Sequence, residues 1–301
     1  MEGRRVIEQP DRLARLRTGE GVDLRGRLRS MWASVAGSWG EYAEYVDTRA
    51  ATVTARMLEH TAPQPGDRVL ELACGAGGLG LAAAKLVEPG GEVVRSDVAA
   101  EMTSIAAARA AAMGLSNVST RELMLEQIEQ PDCSYDIVLC RDGLMFALDP
   151  ARAAREIRRV LRPGGRVALA VWGPRERNPW LSIVLDAVSA QVGTPVPPPG
   201  IPGPFSLNDS DKLARLLSDA KLADITVSEV PTPLRDESFD RWLTRTSSLA
   251  GPLATRLASL SGDDMRALRA RLQEAVRPYE TPGGLDFPGV SLLAAGARAH
   301  D

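Results

Sequence analysis

Apolar positions along this chain change their period in a regular order. Arg68–Ala73 (RVLELA) is a short apolar run set between the turn PQPGD and a glycine-rich segment, which predicts a buried strand. LGLAAAKLV then reads as a helix. The alternation repeats: EVVRSD is a second strand, and AAEMTSIAAARAAAMG is a helix closed by Gly114 as its cap. NVSTREL, YDIVLC and RVALAVW give the third, fourth and fifth strands, with the helix PARAAREIRRVL and the turn Arg162-Pro-Gly-Gly before the fifth. Strands alternating with helices predict a parallel sheet covered on both faces.

Beyond Trp172 the pattern changes. NPWLSIVLDAVSAQV is helical, and GTPVPPPGIPGP is too proline-rich for a sheet interior and reads as a loop. LNDSDKLARLLSDA is a helix with Asn208, Asp209 or Ser210 as its N-cap. Asp224–Val230 alternates as a strand should, residues 236–278 are mostly helical, and VSLLAAGA from Val290 is a last strand. Seven strands result, with a helical insertion before the last, placed as a lid over the strand ends. Residues 31–60 read as one or two helices, with Val46, Val53 and Met57 near helical spacing. Residues 1–30 are Arg-rich, with Leu13 and Leu16 on at most a short helix. The expected organisation is an N-terminal segment and helical lid over 1–50, a nucleotide-binding core over 51–175, and completion of the sheet plus an acceptor-binding cap over 176–301.

Composition narrows the function classes. The formal charge is −3, without a basic, aromatic-interleaved stretch, so a nucleic-acid partner is disfavoured. No run of 18 apolar residues exists, so no membrane span is expected. The cysteines are Cys74, Cys133 and Cys140 without C-x-x-C, and the histidines are only His60 and His300, which argues against a metal site. Odd thiols and an N-terminus lacking an apolar signal core point to a reducing cytoplasm. A homodimer is compatible with the sequence and not required by it.

The glycine-rich segment carries the candidate chemistry. VLELACGAGGLG contains Gly75-x-Gly77-x-x-Gly80 after a strand and at the start of a helix, so a ligand can approach bare backbone and free N–H groups. Asp97, at the end of the second strand, is placed to hold ribose hydroxyls. NAD(P) and S-adenosylmethionine (SAM) would both use these features, and the glycine pattern alone does not separate them.

The wider set VLELACGAG, VVRSD, YDIVLCRDGLMF and REIRRVLRPGGRVAL resembles the class I SAM-dependent methyltransferases, in the branch related to ubiquinone/menaquinone C-methyltransferases. The resemblance covers roughly residues 30–175, and the L-x-P-G-G-x turn at Leu161–Arg166 is its most specific part beside the glycine loop. It implies a Rossmann-like α/β fold, SAM as cofactor and S-adenosylhomocysteine (SAH) as product. It also implies roles. Glu71 would organise the loop and reach the methionine end. Ala73, Gly75 and Gly77 would line SAM with backbone, and Asp97 would take the ribose diol. Val98 and Met102 would pack on adenine, the Leu125 amide would meet adenine N1, and Arg141 joins the cofactor-binding set. Two positions depart from the family's pattern. Ala73 replaces a common Gly, and Met124 stands where an Asp often accepts from the adenine amino group, a loss of about 1 kcal/mol.

Methyl transfer from a sulfonium needs alignment and exclusion of water, and a base only where the acceptor must lose a proton. Neither His is well placed. Asp142, after the fourth strand, is the candidate base, with pairing to Arg141 or a turn cap as its structural alternative. Trp39, Tyr42 and Tyr45, in the helix that closes over SAM in the resembled family, with Met145, Phe146 and Trp242, would wall an apolar chamber; core packing is the alternative. The reading is methyl transfer to O or C of a small, lipophilic acceptor. The rival readings are a SAM-fold protein without methyl transfer, such as a cyclase or binding module, and an NAD(P)-dependent oxidoreductase.

Overall fold

The computed structural model describes residues 20–300; Leu13 and Leu16 lie outside them. Three helices come first: α1 (Glu20–Glu41), α2 (Ala43–Arg49) and α3 (Ala51–Thr61). The Arg-rich segment therefore enters α1 by residue 20, and 31–60 falls into three helices rather than one or two. Breaks at Tyr42 and Ala50 let the chain turn while its apolar face follows the sheet.

The core then alternates as expected: β1 (Arg68–Leu72), α4 (Leu79–Leu86), β2 (Glu92–Asp97), α5 (Ala100–Ala112), β3 (Val118–Glu122), β4 (Tyr135–Arg141), α6 (Pro150–Val160) and β5 (Leu161–Trp172). After α7 (Pro179–Val192) and α8 (Ser210–Asp219), β6 (Leu222–Pro231) and β10 (Val290–Arg298) complete a seven-stranded sheet of order β3-β2-β1-β4-β5-β10-β6. Strand β10 is antiparallel to β5 and β6, and the remaining pairs are parallel. The central strands β1, β4 and β5 are buried on both faces, which is why their sequences read as apolar runs and not as alternation.

The Arg162-Pro-Gly-Gly turn is a bulge within β5. Tyr135 pairs with Leu161 and Ile137 with Arg166, so Arg162–Gly165 loop out of the ladder. Gly164 has φ +76°, and a Cβ there would strike the His300 ring. That histidine packs at the edge of the sheet opposite the strand ends that bind ligands.

The insertion between β6 and β10 holds β7 (Leu234–Asp236), α9 (Phe239–Leu249), α10 (Gly251–Ala258), α11 (Gly262–Val276), β8 (Glu280–Thr281) and β9 (Gly284–Phe287). The three short strands form a separate antiparallel sheet of order β7-β9-β8 that the sequence pattern did not predict. Together with α7 they enclose a second core around Trp180, Leu181, Trp242, Leu268, Leu272 and Phe287. Trp242 is fully buried there; its ring packs on Phe239 and Phe287, and its N–H donates to the Trp180 carbonyl at 3.1 Å. A Trp can be buried this deeply because its one donor is satisfied.

Candidate active site

The chain runs from β1 outward to β3 and returns to lay β4 on the other side of β1, so a crevice opens where the strand order reverses. One cavity of about 230 Å³ fills it. It begins at Asp97, Val98 and Met102, passes the loop at Cys74 and Gly75, and continues beneath the cap to Trp172 and Trp180.

Buried charges hold the glycine loop. Arg95 on β2 is 0% exposed and donates through Nε to Glu71 Oε2 at 2.7 Å, through Nη1 to the Ala106 carbonyl at 3.2 Å, and through Nη2 to the Gly77 carbonyl. Asp97 Oδ2 accepts from the Gly75 N–H at 3.0 Å and Oδ1 from the Ala99 N–H at 3.1 Å. Burial pushes its carboxyl above the usual range, with the N–H groups of Gly75, Ala99 and Val98 pulling the other way. Ala73 has φ +49°, a conformation that costs a residue with a Cβ roughly 1–2 kcal/mol. An alanine in place of the family's common glycine is therefore strained here, and its methyl group lies where a Cβ on Gly143 would collide with it.

The back of the loop is occupied by α2. Asp47 Oδ1 accepts from the Gly78 N–H at 2.6 Å, the N-cap position of α4, while Oδ2 pairs with Arg109 at 2.7 Å. Arg141 Nη2 stands 3.6 Å from Asp47 and Nη1 donates to Thr54 at 2.6 Å. The helix N-terminus, where a dinucleotide places its pyrophosphate, thus already carries a carboxylate.

Arg141 is engaged with Asp47 and Thr54, and no ion pair joins it to Asp142. Asp142 has φ +57°, its N–H donates to the Ala170 carbonyl at 2.8 Å, and its buried Oδ1 has no hydrogen-bond partner. Burial raises its carboxyl to about 6, against the opposing pull of Arg141 and Arg49. A strained backbone presenting an unsatisfied carboxylate to a cavity is the arrangement expected of a working group.

Of the residues singled out in the sequence, Glu71, Ala73, Gly75, Asp97, Val98, Met102, Met124, Leu125, Arg141 and Asp142 line the cavity, as do Trp39, Tyr45, Met145 and Phe146. Three do not. Gly77 faces away: a Cβ there would lie 2.6 Å from Arg141 Nη2, so this glycine makes room for the guanidinium. Tyr42 stands at the start of α2 with Arg245 5.9 Å from its ring centroid; Tyr45, three residues on, takes the cavity side. Trp242 belongs to the cap core described above, because the small β-sheet supplies aromatic partners there. Burial also pushes the thiols of Cys74 and Cys140 up, the latter to about 12, so both are apolar fillers.

Sequence reasoning missed Asp47, Arg49, Trp172 and Trp180. The signal for Arg49 was present: Tyr45, Val46, Arg49, Ala50 and Val53 all line the cavity, a helical stripe across α2 and α3 that is apolar or aromatic save for one arginine.

The strand order, the acid ending β2 and the clasped glycine loop define the class: a Rossmann-like methyltransferase fold. Residues 69–165 match the family model described as a methyltransferase domain. SAM is the methyl donor of that class. Over 118 residues the chain is 40% identical to nocamycin O-methyltransferase of Saccharothrix syringae, covering 39% of this chain and 42% of that one. Over 153 residues it is 34% identical to an uncharacterized protein of Mycobacterium tuberculosis, covering 51% and 53%. The chain spans about half the length of the first curated relatives it matches. Its fold is similar to that of the YcgJ protein of Bacillus subtilis, with TM-score 0.57, 22% identity, and 82% and 98% of the two chains covered. No helix among the described residues is long and apolar enough to cross a membrane.

Proposed function

We propose that the protein moves a methyl group from SAM to an oxygen or carbon of a small, lipophilic acceptor held beneath the cap, with Asp142 receiving the acceptor's proton. One observation supports this reading: a single cavity is lined both by Asp97 at the end of β2 and by aromatic and aliphatic side chains of the cap, and Asp142 lines it too.

The residues suit SAM. In the bound state the cofactor supplies an electrophilic methyl on a sulfonium. The Asp97 carboxylate keeps acceptor capacity beyond its backbone bonds for a ribose hydroxyl. Val98, Met102 and Leu125 offer apolar surface to an adenine ring. Glu71 holds the loop through Arg95, which leaves Oε1 as its uncommitted oxygen for an ammonium. Asp47 on the Gly78 N–H favours SAM over NAD(P), since a pyrophosphate there would meet a carboxylate at the one place it needs bare N–H groups.

The acceptor end is apolar and roofed by α1, α7 and α10, which supports a small molecule in preference to a nucleic acid. No histidine lines it, so the proton falls to Asp142. The similarity to an O-methyltransferase over part of the chain favours oxygen over carbon.

The test is calorimetric titration with SAM, SAH and NADPH in parallel, with SAM-derived radiolabel followed into candidate acceptors. Micromolar SAM or SAH binding is expected, weakened at least thirtyfold in Asp97→Ala, about 2 kcal/mol from two charge-assisted hydrogen bonds. Binding of NADPH alone would overturn the reading, and SAM binding with no label transferred to any acceptor class would leave a binding or cyclising role in its place.

A further inference from the structure

The cap end of the cavity holds a cation that the reading above does not use. Arg49, at the end of α2, lies with its guanidinium carbon 3.7 Å from the Trp180 ring centroid and 4.6 Å from that of Trp172. Its Nε and Nη2 are shielded from solvent and make no hydrogen bond. Burying a guanidinium with donors unmade is costly, and cation–π contact with two indoles offsets only part of that cost. Asp142 Oδ1, across the same cavity, is equally shielded and unbonded. Arg49 and Asp142 are near enough to shift one another electrostatically, yet no hydrogen bond or ion pair joins them.

Arg25 of α1 also lines the cavity, and the other nearby cations are held elsewhere. Arg141 is held by Asp47 and Thr54. Tyr45, one turn before Arg49 on the same helix, carries Arg245 on its ring at 4.3 Å, and Arg245 is paired with Asp236 at 3.0 Å. Arg49 and Asp142, the two with unbonded polar atoms, line a chamber walled by Leu181, Leu185 and Leu253.

A ligand group that satisfies both must donate to Asp142 and accept from Arg49. An ammonium cannot accept, and a carboxylate cannot donate and would face Asp142 as a like charge. A hydroxyl does both, and a cation beside it favours one that readily becomes an anion. Resting on the methyltransferase reading, we propose that the methyl-accepting group is an acidic hydroxyl, a phenol or an enol, seated between Asp142 and Arg49. Asp142 takes its proton as the O–H bond breaks. Arg49 holds the oxyanion, whose lone pair closes on the methyl carbon while the C–S electron pair returns to sulfur. Sulfonium, carboxylate and hydroxyl become thioether, carboxylic acid and ether, and charge balances. Arg49 is thereby the residue that selects acidic hydroxyls over ordinary alcohols.

The test uses 4-nitrophenol, whose anion absorbs where its neutral form does not, bound to the SAH-saturated protein and titrated with pH. Wild type is expected to bind it with an ionisation constant at least tenfold greater than in Arg49→Met, and Arg49→Lys to recover part of the difference. Without ligand, Arg49→Met is expected to melt no lower than wild type, since it removes an unsatisfied buried charge. A purely structural arginine would show the reverse: a lower melting temperature and an unmoved ionisation constant. That result, equal ionisation constants, or failure of wild type to bind the phenol overturns the proposal. SAH binding, titrated first, separates this outcome from failure of the methyltransferase reading, which would appear there.

Discussion

Arg95→Met is expected to lower the unfolding free energy by about 3–5 kcal/mol, the range for breaking a buried ion pair by removing one partner. The pair it breaks is nearly solvent-free, with Arg95 0% and Glu71 3% exposed at their side chains. Three ties go at once: to Glu71 on β1, to the Ala106 carbonyl on α5, and to the Gly77 carbonyl in the loop. What remains is a carboxylate in the interior without a counter-charge. A domain of ordinary stability has about 5–15 kcal/mol in total, so the variant should unfold at much lower urea. The double variant Glu71→Leu, Arg95→Met is expected to recover most of that stability, because burying two apolar groups leaves no charge unpaired. It should not recover SAM binding, since the loop carbonyl of Gly77 stays untied. Urea denaturation of the three proteins checks this; a single variant within 1 kcal/mol of wild type would show that the pair contributes nothing net.

Asp142→Asn is expected to cut turnover by about 10²–10⁴, the span of general-base contributions, while SAM affinity is unchanged. In wild type the rate should fall as pH drops through about 6, where the carboxyl takes up its proton. Stability moves the opposite way. Because the folded-state value lies above the ordinary 3.8, this group's contribution is fully present below pH 3.8 and is lost as pH rises through about 6. At pH 7.5 the asparagine variant therefore escapes a cost on the order of 3 kcal/mol that wild type carries, and the two converge near pH 4. Melting curves at the two pH values, beside initial rates, check both halves. Normal turnover in the variant would remove Asp142 from the chemistry.

What was legible in the sequence followed from burial. Strands β1, β4 and β5 are shielded on both faces, so their composition had to be apolar throughout, and the bulge at Arg162–Gly165 announced itself through Pro and Gly. The small sheet of the cap was not legible because its strands are two to four residues long, too short for any period to show. Tyr42 and Tyr45 are both aromatic on one helical stretch, and only the break at Tyr42 decides which meets the cavity. Asp47 sits between Val46 and Thr48 with no sign of a partner in the sequence; its engagement with Gly78 and Arg109 comes from α2 lying against the glycine loop, a tertiary fact.

Trp39 makes two contacts that lie on different sides of the molecule's interior. Its ring sits 3.5 Å from where a Cβ on Gly75 would be, and its indole N–H donates to the Leu249 carbonyl of the cap at 3.0 Å. One side chain of α1 is therefore a latch on both compartments. Any displacement of Trp39 from the glycine loop would therefore also break its bond to the cap, so the donor and acceptor ends are tied through one side chain.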